Sequence, residues 1–149
     1  MRWAPIGTAG ILAGILAGCG PGLGPYGRPS ELRSATLPGD SIRVIVVVAG
    51  EPDVNDRQLA ARVIQRLRQA GITALARPGL WESEQAALAD ICPTPDPGEV
   101  DGILFVWWNQ LDLRHCPSHA RAFQIHGAYR GVDYMVGRLL RYLRVETAS

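Results

Sequence analysis

Ile42-Arg43-Val44-Ile45-Val46-Val47-Val48, residues 42–48, is β-branched at every position but Arg43. A run with no polar alternation reads as a strand buried on both faces, which is how strands of a helix-covered parallel sheet look. Gly50 and Pro52 end it. A helix pattern follows, with Leu59, Val63, Ile64 and Leu67 on one stripe and Arg57, Arg62, Arg66 and Arg68 largely off it. Asn55 with Gln58 three residues on suits a capping box, and Gly71 stands where a glycine closes a helix. Ile72–Ala76 is a short second strand. A second helix begins near Ser83 and runs to about Ile91, with Leu88 and Ile91 facing inward.

Beyond Pro93, Pro95 and Pro97, the stretch from Gly102 to Trp108 is again apolar on both faces, and alternation from Leu111 extends this strand to Arg114. Arg121–His126 alternates with period two, giving a strand with one wet face that pairs antiparallel with the third. Val132, Met135, Val136, Leu139, Leu140 and Leu143 form the stripe of a last helix. The expected fold is α/β, in two or three layers, with element order β-α-β-α-β-β-α. Right-handed crossovers place the strands in a four-stranded mixed sheet of order 2-1-3-4. The domain spans 42–146.

The 149 residues contain no lysine; fifteen arginines face fourteen Asp plus Glu, for a net charge of +1. So balanced a chain lacks the basic footprint of a general nucleic-acid binder. The distribution is uneven. Residues 82–112 hold seven acids and no arginine, whereas Arg114, Arg121, Arg130, Arg138, Arg141 and Arg144 face only Asp133 and Glu146. The two sets either pair in the fold or leave a basic binding face.

The N-terminus says where the chain works. Arg2 precedes an uncharged run from Trp3 to Gly18, a basic n-region followed by an apolar h-region, as in a secretory signal. It is too short for a transmembrane helix. Its end, Leu16-Ala17-Gly18-Cys19, resembles the lipobox of bacterial lipoproteins. The resemblance covers those four residues and the h-region. It implies removal of residues 1–18 as a signal peptide, a diacylglyceryl group on the Cys19 sulfur and acylation of the new amine, palmitate being a typical chain. Several acyl chains anchor stably where one does not. Gly20 after that cysteine, in place of Asp, implies sorting to the outer membrane, facing the periplasm. Residues 19–41, rich in Gly and Pro, read as a flexible tether with a reach of about 25 Å.

Cys92 and Cys116 remain after lipidation, and in an oxidising compartment the expectation is a disulfide. One difficulty is geometric: a straight strand from Gly102 to Arg114 separates them, and residues 93–101 must run back to close the gap. His115, Cys116 and His119 are metal-ligand types, completed by Cys92 or His126, but at no common zinc spacing. No metal, cofactor or catalytic residue is assigned. Trp107 and Trp108 point to opposite faces, either both as core or one free to stack on a sugar ring or peptide. The functional expectation is a lipid-anchored, non-catalytic binding or accessory module that holds an envelope protein or polymer. Its binding surface is placed on Arg121, His126, Arg130, Arg138 and Arg141. The alternatives are an envelope hydrolase using Cys116 with His119 or His126, and a metal-handling lipoprotein.

Overall fold

A computed structural model describes residues 28–145 apart from 52, 78, 80, 95 and 97; the lipobox and Cys19 lie outside the described residues. The elements in chain order are β1 (Ser30–Arg33), β2 (Val44–Ala49), α1 (Val54–Gln69), β3 (Thr73–Ala76), α2 (Glu84–Ile91), β4 (Gly102–Trp107), β5 (Gln110–His115), β6 (Arg121–His126) and α3 (Val132–Tyr142). The mixed α/β class holds, but the sheet has six strands, in the order β1-β6-β5-β4-β2-β3. Only the parallel part, β3-β2-β4, keeps the expected 2-1-3 arrangement.

Two features correct the four-stranded reading. The third strand does not run on to Arg114. It reverses at Trp108-Asn109, with Trp107 opposite Gln110, so that β4 and β5 form a tight antiparallel hairpin. It is β5, not β4, that pairs antiparallel with β6. Within the segment read as tether, Ser30–Arg33 pairs antiparallel with β6, and Gly39–Ser41 forms a 3-10 turn. This segment is clasped to α3. The Tyr142 hydroxyl donates to the Leu37 carbonyl at 2.6 Å, and Arg138 Nε meets Glu31 Oε1 at 2.7 Å. Arg43 donates to the Leu143 carbonyl at 2.9 Å.

The helices lie on both faces, making three layers. α1 and α3 bury Val63, Ile64, Leu67, Met135, Val136 and Leu139 against Ile45, Val47, Leu104, Leu111, Phe123 and Ile125. On the other face α2 covers only β2 and β4, through Ala87, Leu88 and Ile91 on Val46, Val48, Ile103 and Phe105. α1 starts two residues earlier than the Asn55 cap predicts. Asp53 is its N-cap, accepting from the Asp56 amide at 2.7 Å. It ends as read, with Gly71 at φ +88° and Ile72 N–H returning to the Leu67 carbonyl at 3.0 Å.

The strand reversal also removes the difficulty over the cysteines. β5 carries the chain back to the amino end of β4, where the Cys116 amide donates to the Asp101 carbonyl at 2.9 Å. Cys92 and Cys116 sit at disulfide distance, with Cα atoms 5.8 Å apart, and tie the end of α2 to the β5–β6 turn.

Candidate functional site

The connection β2-α1-β3 crosses one face of the sheet and β3-α2-β4 crosses the other. The loops leaving the neighbouring strands β2 and β3 therefore part to opposite sides, and a crevice opens at their carboxyl ends. Such switch points are where open α/β sheets bind ligands. Here the crevice is a cleft of about 1040 Å³. Its floor is the carboxyl ends of β2 and β4, and its walls are α1 from Arg57 to Ile64, the first turn of α2 and the loop after β3.

Two indoles line it. Trp107 lies over Gly50, so closely that a Cβ built on that glycine would stand 2.2 Å from the ring. Trp81 lies likewise over Gly79, with 2.6 Å to such a Cβ, and its Nε1 donates to Asp90 at 3.1 Å. Glycine at both positions lets each ring come close to the backbone. Phe105 extends the aromatic wall, its centroid 6.2 Å from that of Trp107.

The charged lining is mixed. Glu51, Glu82 and Glu84 stand with Arg57 and Arg77. Glu84 meets Arg114 at 3.4 Å and Arg77 meets Asp90 at 3.7 Å, both partners lying outside the cleft. The Arg57 Nε–H donates to the Asp53 carbonyl at 3.3 Å. The N-terminus of α1 is closed to anions by its own acids. Asp53 caps it, and buried Asp56 accepts from the Glu51 amide at 3.1 Å and from the backbone of Trp108. Burial raises the Asp56 carboxyl above its usual range, and the Asp53 and Glu51 carboxylates push it the same way, against those two hydrogen bonds.

The residues expected to bind do not form one surface. Arg121 and His126 stand on the face of β6 opposite α3, beyond the cover of α2, where Arg121 pairs with buried Asp112 at 3.1 Å. Arg138 and Arg141 project from α3 on the other side; Arg138 is held by Glu31, and Arg141 borders a small groove with residues 33–39. Arg130 lies over the Tyr134 ring at 5.4 Å, in the turn between β6 and α3. The acidic middle and the basic C-terminal third do pair in part, through Arg114–Glu84 and Arg121–Asp112.

The histidines beside Cys116 are also engaged. His119 Nε2 is 2.6 Å from the Cys92 carbonyl and His115 Nδ1 is 2.7 Å from Ser118 Oγ. Cys116 is buried, its sulfur at bonding distance from that of Cys92. Among the described residues, no three His, Cys, Asp or Glu side chains converge as a metal site.

Sequence reasoning missed Trp81, Glu51, Arg57 and Arg77 as a set. Each lies beside a carboxyl-terminal strand end, and the glycines at 50 and 79 were the one local sign that something bulky lies close. Compared with known proteins, the chain matches no family model and no curated protein.

Proposed function

We propose that this protein is a lipoprotein of the bacterial envelope, anchored through Cys19 in the outer membrane, that acts by binding, and that the Trp81–Trp107 cleft is its binding site. The observation that carries the site is the aromatic cleft at the switch point of the sheet. Its chemistry favours a neutral hydroxylated ring, such as a sugar unit of an envelope glycan. Indole faces give such a ring a flat apolar partner. Hydroxyl groups donate to the glutamates and accept from the arginines, so both signs of charge in the lining are used. An anionic ligand meets Glu51 and Glu82, and a cationic one meets Arg57 and Arg77.

The test is a titration of the non-acylated C19S chain with neutral oligosaccharides, a chitotriose and a maltotriose, followed by tryptophan fluorescence and calorimetry. Saturable binding to either sugar that is lost in W107A supports the site. Absence of binding to both sugars overturns the ligand class, and binding unchanged in W107A and W81A overturns the site.

A further inference from the structure

We propose that the carboxyl end of the sheet, carrying Trp108, Tyr129, Arg130 and Arg28, is a membrane-contacting surface; this rests on the reading of Cys19 as the lipid anchor. Two independent observations lead to it, where the chain enters the domain and what that end exposes.

β1 runs antiparallel to β6, with Ser30 opposite His126. His126 stands opposite Gln110, and Gln110 opposite Trp107. Ser30, His126, Gln110 and Trp107 thus form one row across the end of the sheet, and the chain coming from Cys19 joins the domain in that row. Ten residues lie between Cys19 and Ser30, making eleven Cα-to-Cα steps. Whatever their conformation, they span at most about 40 Å. A domain of this size has a radius of gyration of about 13–14 Å, hence a diameter of about 35 Å. To bring the opposite end, the β5–β6 turn at Ser118, onto the bilayer, the segment must run nearly taut along the whole domain. With the carboxyl end against the bilayer no such stretch is needed.

That same end exposes large aromatic groups. Tyr129 is 77% exposed and Trp108 51%, the most exposed aromatic side chains among the described residues. The turns that carry them are tied together, the Gly127 amide donating to the Asn109 carbonyl at 2.9 Å. Phe123 and Tyr142, by contrast, are buried and stack in the core at 5.4 Å. Tryptophan and tyrosine, apolar in body and polar at the tip, suit the headgroup region of a bilayer. Arg130 and Arg28 bring positive charge for lipid phosphates to this end, which also carries Glu51 and Asp53 after β2. Trp107, in the same row, is a wall of the cleft. At about 4.8 Å per strand it is about 14 Å from Ser30, so a ligand reaches the cleft close to the bilayer.

The full chain, processed and acylated in a bacterial host, is reconstituted into phosphatidylcholine–phosphatidylglycerol vesicles with and without dibrominated acyl chains. W81F/W107F keeps Trp108 as the one tryptophan of residues 19–149. W81F/W107F/W108F/S118W puts the reporter at the opposite end. Bromine is expected to lower Trp108 emission, as for a side chain seated at the headgroup–acyl boundary, and to leave the S118W reporter unchanged. As a second reading free of the Trp81 and Trp107 substitutions, a dye on Y129C should shift to the blue on reconstitution and one on S118C should not. Equal quenching at the two ends, or stronger quenching of S118W, in an acylated chain overturns the membrane surface and leaves the anchor standing. A chain that carries no acyl group overturns both.

Discussion

Gly50→Ala is the sharpest probe of the cleft. Gly50 is not in a positive-φ conformation, so alanine meets no backbone penalty there. What it meets is the Trp107 ring, with Cε2 2.2 Å and Nε1 2.3 Å from the new carbon. Carbon atoms in contact sit at 3.5–4.0 Å, so the indole must move by more than 1 Å. Phe105 packs beside it and the Gly50 amide is tied to the Val106 carbonyl at 2.7 Å, so neither the ring nor the glycine backbone yields freely on that side. Overpacking of this kind costs about 1–3 kcal/mol. With an m-value of roughly 2 kcal/mol/M, a middle value of 2 kcal/mol lowers the urea midpoint by about 1 M. The assay is urea unfolding of the C19S chain followed by far-UV circular dichroism, since tryptophan emission itself responds to the change. The cause is isolated by a double-mutant cycle: in W107A the ring is gone, and G50A should then cost close to nothing. An equal cost of G50A with and without Trp107, or no cost at all, would refute the stacking of that indole on the glycine.

Three further outcomes are expected. Replacing Cys92 and Cys116 together by alanine removes a link between residues 24 apart, and in the chain-entropy model this lowers stability by about 3.5 kcal/mol; unfolding with and without reductant measures it, and a midpoint insensitive to reductant contradicts the bridge. Tyr142→Phe deletes the hydroxyl bond to Leu37 and lowers stability by about 1 kcal/mol, whereas a tether reading of residues 30–41 predicts no change. Glu31 tests the pH dependence. Burial raises its carboxyl, but the hydrogen bonds from Arg138 and Arg33 outweigh that and hold it below its ordinary 4.5. A depressed folded-state value stabilises above the unfolded one and is lost as pH falls through the folded one. The deficit of E31Q should therefore be full at pH 7 and shrink below about pH 4.5. A deficit independent of pH contradicts the pairing.

The helices were legible because each writes its core stripe every three to four residues, as Val63, Ile64 and Leu67 do on α1. The parallel strands were legible because burial on both faces leaves no polar alternation in Val44–Val48. Ser30–Arg33 was not, since one leucine among three polar residues in a Pro- and Gly-rich stretch holds no periodic signal. Its pairing is set by the free edge of β6, a partner some ninety residues away in sequence. The reversal at Trp108-Asn109 was hidden for the opposite reason. Two tryptophans continued an apolar run, and the alternation from Leu111 continued the strand pattern in the same phase. The cleft lay furthest out of reach. Trp81, Gly50, Arg57 and Trp107 come from four separate elements or loops, and only the departure of two loops from neighbouring strands to opposite faces of the sheet brings them together.

Anchor, compartment and membrane-facing surface all depend on the chemistry at Cys19. The decisive measurement is intact-protein and N-terminal peptide mass spectrometry of the chain recovered from the membrane fraction of a bacterial host. It should begin at Cys19, residues 1–18 absent, and carry the added mass of a diacylglyceryl group on sulfur and an acyl chain on the amine. A chain that retains Met1, or that is cut elsewhere and bears no lipid, contradicts the anchor, the envelope assignment and the membrane-facing end of the sheet together.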